Sequence, residues 1–370
     1  MRCLSTFVAL LVLSTHPARA VILGTGDGLE NTTAPANDPG FENVGILGSG
    51  SAVYLGNGWV LTAAHVYNGS SGVPTESWFN GLPYQNVPGS GVQLTNPAGV
   101  GYTQYTDLEL YRLAGAPPLP SVTISNTVAS AGWDVTMIGN GLDPRNSQTA
   151  YWDSSWMPAT GSATYAGEIW STTHDIRWGT NVIDQGSIAQ GIGVNSEMAF
   201  MTSFTQNGTA YEAQGTPGDS GGGVFHQDPT TGAWSLAGIM FGVTSLTGQP
   251  WGISAFGDLT WSADLSSYRT EIYQTMAIPG DVNFDGVVNA QDLALVASNW
   301  LKAGTGANDP AGDANHDGIV NGQDIALVSS AIGSALGGVP AAVSVPEPSS
   351  YVLALLSLIG LLAYKRRRSA

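Results

Sequence analysis

Disulfides cannot hold this protein together, because its 370 residues include a single cysteine, Cys3. That residue lies in MRCLSTFVALLVLSTHPARA, where Arg2, the apolar run Phe7 to Leu13 and the small residues Ala18 and Ala20 read as a secretory signal peptide cut after Ala20. The mature chain is then disulfide-free in a compartment that permits disulfides, which leaves its core or bound ions to stabilise it. Basic residues are scarce as well. Of 11 Lys and Arg, Arg2 and Arg19 fall in the signal and Lys365 to Arg368 in the tail, so five remain in a chain with 28 acidic residues. That excludes binding nucleic acid through a basic face. No apolar run reaches the roughly 20 residues that span a bilayer core; Tyr351 to Tyr364 spans 14. Charged residues make up only 11% of the chain, while 49 Gly and 20 Pro break it up, which argues against a helical bundle and for an all-β body rich in turns.

From Val21 to about Met276, short apolar stretches such as SAVYLGNGWVLTAAHV, DLELYRL, WDVTMIGNGL and WSLAGIMFGV alternate with Gly, Pro, Asn and Ser clusters. Short strands at this spacing predict a sandwich or barrel. From Gly280 the texture changes. GDVNFDGVVNAQDLALV and GDANHDGIVNGQDIALV repeat each other with an offset of 32 residues, which marks a separate module. The expected boundaries are a signal peptide at 1–20, a β body at 21–276, the repeat module at 279–335, a linker at 336–344 and a sorting tail at 345–370.

The stretch GTPGDSGGG, residues 215 to 223, places Ser220 among glycines, whose backbone entropy makes them costly unless missing side chains are needed. A serine hydroxyl is a poor nucleophile at its free pKa and requires a base, which in turn requires a group that holds its tautomer. Of five histidines, His16 leaves with the signal, His316 sits in the repeat, and His174 and His226 have loop-like surroundings. His65 ends VLTAAH, an apolar strand that can hold a base rigidly. Asp107 heads DLELYRL, an apolar strand in which a buried carboxylate needs hydrogen bonds such as an imidazole N–H supplies. Alone, His65 reads as a structural histidine and Asp107 as a turn residue; together with Ser220 they read as a relay.

In order and flanking sequence, Thr62-Ala63-Ala64-His65, Asp107 with its strand, and Gly218-Asp219-Ser220-Gly221-Gly222 resemble the chymotrypsin and trypsin family of serine peptidases. Ile138-Gly139-Asn140-Gly141 and Leu236-Ala237-Gly238-Ile239 are weaker echoes. The resemblance covers most of residues 21–276 and implies two β-barrels, a catalytic trio of His65, Asp107 and Ser220, and an oxyanion hole from the amides of Gly218 and Ser220. It implies a substrate pocket at Gln214, Gly242, Val243 and Gly257, with uncharged Gln214 at the floor arguing against a trypsin-like Arg and Lys preference. Phe241 and Gly242 depart from the family's Ser-Trp segment, and Val66 stands where the family often has Cys. It also implies an ion pair between Asp219 and a newly made N-terminus. Signal cleavage would expose Val21, so signal peptidase would itself activate the enzyme; alternatively Val21 is a frayed end and other donors hold Asp219.

In the repeat, Asp281, Asn283, Asp285, Gly286, Asn289 and Asp292 occupy positions 1, 3, 5, 6, 9 and 12 of a loop, and Asp313, Asn315, Asp317, Gly318, Asn321 and Asp324 repeat it. With the carbonyls of Val287 and Ile319 at position 7, this is an oxygen-ligand pattern for two calcium ions. An amphipathic helix is expected after each loop, carrying Leu293, Val296, Ala297, Trp300 and Leu301 in the first and Ile325, Val328 and Ile332 in the second. The module resembles a type I dockerin, whose family binds cohesin domains, and Ala290-Gln291 and Gly322-Gln323 occupy that family's recognition positions. A purely structural role for calcium is equally consistent with these residues.

Val345-Pro346-Glu347-Pro348, the apolar run and the basic end Lys365 to Arg368 resemble the PEP-CTERM sorting signal of Gram-negative bacteria, which an exosortase recognises and cuts. Until then the basic end would stay inside and the body outside, transiently anchored at the inner membrane before reaching the outer surface or matrix. The expected protein is a secreted serine endopeptidase with protein or peptide substrates and two bound calcium ions. The competing expectation is a non-catalytic adhesion or scaffold protein that docks partners through its calcium module.

Overall fold

A computed structural model of the chain describes residues 21–24, 30–69, 72–145, 148–160, 162–276, 278–283, 287–303, 311–315 and 319–333. The expected signal peptide, linker and sorting tail, together with Asp285, Gly286, His316, Asp317 and Gly318, lie outside the described residues. Among those described, no helix is long and apolar enough to cross a membrane.

The body is mainly β, as its composition predicts. In its N-terminal half seven antiparallel strands lie in the order Leu82–Gln85, Glu76–Phe79, Val44–Leu47, Gly50–Gly56, Trp59–Ala63, Tyr105–Arg112 and Val92–Thr95. Gly50–Gly56 and Trp59–Ala63 are buried at every position, which is why they read as continuous apolar runs rather than alternating ones. Val53, Leu61 and Leu110 meet here in the main core, each buried aliphatic side chain contributing about 1.5–3 kcal/mol.

The two-barrel expectation holds fully for the second half only. Arg177–Ile192, Asn195–Ser203, Leu259–Asp264, Trp234–Thr244, Gly223–Gln227 and Asp134–Gly139 close on themselves as a six-stranded antiparallel barrel. The first half stays a sheet that is joined back on itself at one bridge, Asn86 just after Leu82–Gln85 opposite Leu113 just after Tyr105–Arg112. It is backed by the Val87 amide donating to the Arg112 carbonyl and the Ala114 amide to the Gln85 carbonyl, both at 2.8 Å, which leaves Val92–Thr95 as an edge.

Two smaller pairings frame the site. Ile22–Leu23 pairs with Ala213–Gln214, and Tyr165–His174 pairs with Leu142–Pro144, Ala150–Trp152 and Ile253–Ala255. At the end of the body, the helix Arg269–Met276 buries Ile272, Tyr273 and Met276, while Glu271 accepts the amide and hydroxyl of Thr95 and so caps an edge strand.

In the repeat module, helices Ala290–Ser298 and Gly322–Ala331 start where the sequence suggests, each with a reciprocal capping box, Asn289 with Asp292 and Asn321 with Asp324. They are shorter than the apolar spacing implies. Asn299 caps the first helix, and Trp300 and Leu301 fall beyond it, exposed, with Leu301 at φ +61°. Ile332 likewise ends the second helix, and Ala297 and Ile325 face outward. The module core is Val282, Val288, Val296, Val320 and Val328.

Candidate active site

The strand register brings His65 and Asp107 together. Trp59–Ala63 and Tyr105–Arg112 pair antiparallel with Ala63 opposite Leu108, and one step further the chain turns into the short helix Ala64–Tyr67. The Asp107 carboxylate, 2% exposed, accepts the His65 backbone amide at 2.9 Å through Oδ1 and the His65 ring through Oδ2, with Nδ1 at 2.5 Å. Because the carboxylate accepts, Nδ1 carries the proton and the neutral ring keeps its lone pair on Nε2, the form a general base requires.

Ser220 lies on the loop between Ala213–Gln214 and the barrel strand Gly223–Gln227. Ser51, from the N-terminal sheet, fastens this loop: its amide donates to the Ser220 carbonyl at 2.8 Å and its hydroxyl to the Gly218 carbonyl at 2.8 Å, while accepting the Asn140 amide at 2.7 Å. Gly50 is squeezed between Val66, the residue after the imidazole, and the Ser220 carbonyl. The nucleophile loop and the His65 helix therefore meet across one glycine. No hydrogen bond joins Ser220 Oγ to His65 Nε2 in this structure, and such contacts often tighten only when substrate binds.

Two glycines on the loop have specific reasons. Gly218 has φ +103°, and a Cβ there would lie 2.5 Å from the Asn140 carbonyl. Gly221 has φ +89°, and a Cβ there would overlap the Ser51 carbonyl and the Thr62 hydroxyl. The resulting turn leaves the amides of Gly218 and Ser220 without an acceptor among the described residues. Two unpaired donors beside a serine are what a developing oxyanion needs.

Asp219 is buried beneath this loop. Its Oδ2 accepts the Thr216 amide at 2.7 Å and hydroxyl at 3.1 Å, whereas Oδ1 completes no hydrogen bond. Burial pushes its carboxyl up to about 7, against the opposing pull of Thr216 and of the nearby Val21 and Gly141 amides. Val21 itself is fully buried with φ +24°, brought there because Ile22 pairs with Gln214.

Of the expected pocket residues, Gly242 and Val243 line a cavity of about 190 Å³ beside Ser220, and Gln214 and Gly257 do not. Thr260 stands in front of Gln214, donating its hydroxyl to Oε1 at 3.0 Å. Gly257 serves a turn elsewhere, with φ +106° and its amide donating to the Phe204 carbonyl. Thr260, Met240 and the 82% exposed Trp251 line the cavity instead. The sequence reading also missed Glu197, which is fully buried and accepts the Asp107 amide at 2.6 Å.

In the repeat module, Asp292 accepts the amides of Val282, Asn283 and Asn289, and Asp324 those of Ala314, Asn315 and Asn321. Both carboxylates are fully buried, and among the described residues neither pairs with a basic side chain. Buried anionic oxygens on a tight loop fit a hard divalent cation. Asp281 and Asp313, also buried, add two further carboxylates.

Three family models match along the chain: a trypsin-like peptidase domain at residues 48–233, a dockerin type I domain at 279–333 and a PEP-CTERM protein-sorting motif at 344–369. No curated protein matches. Similar solved structures include neuropsin, a serine protease of mouse brain, at 16% identity over 67% of this chain and 99% of that one with a TM-score of 0.40. The inactive form of the Rv3671c protease of M. tuberculosis matches at 16% identity over 64% and 91% with a TM-score of 0.37. The HtrA-type protease AlgW matches at 18% identity over 61% and 50% with a TM-score of 0.35. The dockerin domain implies calcium binding, and the sorting motif implies export in a Gram-negative bacterium with a surface or extracellular destination. The chain belongs to the trypsin-like peptidase family and is a serine-type peptidase that carries a dockerin type I domain.

Proposed function

We propose that the protein is a secreted serine endopeptidase acting through His65, Asp107 and Ser220. His65 Nε2 takes the Ser220 Oγ proton as Oγ bonds to the scissile carbonyl carbon, and the carbonyl electron pair moves onto oxygen, facing the amides of Gly218 and Ser220. Collapse of this adduct breaks the C–N bond, and His65 returns the proton to the leaving amine. Water then repeats the sequence on the acyl-enzyme and frees Ser220. Asp107 holds the ring tautomer and stabilises the imidazolium. Each oxyanion donor is worth about 2.7–4 kcal/mol in the transition state. The observation that carries this reading is the buried Asp107 carboxylate taking both N–H groups of His65.

The rest of the chain fits an exported enzyme. The proposed boundaries are 1–20 for the signal peptide, 21–276 for the peptidase, 279–335 for the dockerin-like module, 336–344 for the linker and 345–370 for the sorting tail, with signal peptidase and an exosortase as processing enzymes. Two calcium ions would each be held by one loop: Asp281, Asn283, Asp285, Val287, Asn289 and Asp292 in the first, Asp313, Asn315, Asp317, Ile319, Asn321 and Asp324 in the second. Calcium would supply charge balance for these carboxylates and order the loops, presenting the module to a cohesin-like partner.

Fluorophosphonate labelling of the exported protein tests the chemistry. The expected result is a covalent adduct on Ser220 that is absent from Ser220→Ala. A folded, processed chain that never labels, or a label that persists in Ser220→Ala, would reject the reading.

A further inference from the structure

We propose that a groove on the C-terminal barrel binds an uncharged, β-linked glycan against Trp133, Trp178, Tyr211 and Trp234, at a site separate from the catalytic one. The groove has a volume of about 780 Å³ and shares no lining residue with the cavity beside Ser220. That size falls within the roughly 300–1,000 Å³ of small-ligand sites. Three barrel strands contribute to its lining, Asp134–Gly139, Arg177–Ile192 and Gly223–Gln227, and the N-terminal segment adds Pro35 and Asn37. Trp178 fastens that segment to the barrel, donating its amide to the Asn31 carbonyl at 3.1 Å and Nε1–H to the Thr33 carbonyl at 2.9 Å.

The rings are fixed platforms. Trp133, Trp178 and Trp234 are each half-buried against a hydrophobic core while still lining the groove. Trp133 stacks on His226 with centroids 4.0 Å apart, and Trp178 meets Tyr211 edge-on at 4.8 Å. An aromatic face is electronegative and attracts weakly positive C–H groups. A pyranose ring with equatorial hydroxyls turns such C–H groups toward both of its faces. The amides beside the rings are equally fixed. Trp234 Nε1 donates to Asn37 Oδ1 at 3.1 Å, Asn37 Nδ2 to Gln227 Oε1 at 2.9 Å, and Gln227 Nε2 to the Gly232 carbonyl at 2.8 Å. Each of these amide nitrogens keeps a second proton to donate. His226 donates Nδ1–H to the Asp134 carbonyl at 2.9 Å, which leaves Nε2 as an acceptor. Donors and acceptors set side by side suit hydroxyl groups, each of which both donates and accepts.

The same features disfavour other occupants. Asp134 is the one acid in the lining, and no lysine or arginine lines the groove, so an acidic polymer would meet no counter-charge. An extended peptide cannot add as a strand, because Asp134–Gly139 and Gly223–Gln227 are each paired on both sides. A proline-rich segment would bring carbonyls that lack internal partners and need donors. The Nε1 protons of Trp178 and Trp234 are already spent within the protein.

The test uses the exported full-length protein, the β-1,4-linked hexaoses of glucose and of N-acetylglucosamine, an oligogalacturonate and a polyproline peptide. Titration calorimetry is expected to give a Kd below about 1 mM for at least one neutral hexaose, and no binding of the oligogalacturonate or the polyproline. Tyr211→Ala and Trp178→Ala are each expected to weaken hexaose binding about tenfold through loss of one platform, with thermal melting close to wild type. Absence of binding by both neutral hexaoses, tighter binding of the oligogalacturonate or the polyproline, or binding that both variants leave unchanged would overturn the inference. Should Trp178→Ala not fold, Tyr211→Ala decides, since that side chain is 38% exposed. Hexaose binding requires no reactive serine, so a protein that binds the hexaose and never labels with fluorophosphonate loses its catalytic reading and keeps this one.

Discussion

The amide of Asp107 donates to the Glu197 carboxyl at 2.6 Å, so the residue that holds His65 is itself held by a second, fully buried acid. Burial pushes Glu197 up to about 8, partly offset by the Asp107 amide, with the Asp107 charge adding to the rise. Glu109, two residues along the same strand, is pushed up to about 7, again chiefly by burial. These acids keep their protons in the folded protein well above the range where an unfolded chain releases them, near 4.3. A carboxyl raised in this way contributes most at low pH, and its contribution is lost as pH rises from the unfolded value to the folded one, at about 1.4 kcal/mol per pH unit.

Glu197→Gln is therefore expected to flatten the fall in thermal stability between about pH 5 and pH 8. The amide still accepts the Asp107 N–H and cannot ionise, so the variant should gain on wild type as pH rises. Melting curves across that range check this, and parallel curves for the two proteins would show that Glu197 is ionised in both states.

Much of the site was legible because its local signals are strong. TAAH, the DLELYRL strand and GDSGG each combine a reactive side chain with a backbone requirement, and Gly218 and Gly221 have the positive φ that such a glycine-rich loop suggests. The long-range supports were not legible. Ser51 looks like any strand serine, yet it binds the nucleophile loop 167 residues away. Glu197 sits in NSEMAFMTS, where alternation places a glutamate toward water, but this strand is covered on both sides and the carboxyl is buried. Gln214 was expected at the pocket floor from the family resemblance, and Thr260, 46 residues later, intervenes. The first helix of the repeat was overextended because apolar spacing continues through Leu301, whereas Asn299 caps the helix and Leu301 turns to positive φ.

Adding one residue before Val21 is expected to leave export and folding intact and to lower activity by orders of magnitude. In the uncleaved chain Val21 is a β-branched residue at φ +24°, an unfavourable conformation, and its amide beside Asp219 carries no charge. Cleavage after Ala20 would replace that amide with an α-amino group, ordinarily titrating near 7.7–8.0, and a cation there would favour ionised Asp219 over the protonated form. The amine's folded value would be raised by its partner, so the ion pair would be complete below the unfolded value and lost as pH rises through the folded one. Activity of the mature enzyme should show that alkaline loss, and an extended variant with full activity would refute the pairing.

Calcium removal is expected to unfold the repeat module while Ser220 continues to label. The module's core is five valines with partly buried neighbours, and a core of this size rarely supplies more than about 3–5 kcal/mol. Asp292 and Asp324 each collect three backbone amides on a loop, so the helices start from the same carboxylates that would face the metal. Asp281 with Asp292 and Asp313 with Asp324 place two buried acids on each loop, and keeping two such groups out of water without a bound cation is costly. Chelation should therefore cost helical signal and open residues 279–333 to proteolysis, with both restored by calcium. Asp292→Ala should reduce the calcium bound per chain from two to one by titration calorimetry. A module that stays protected from hydrogen exchange in chelator would show that its five valines and two capping boxes suffice on their own.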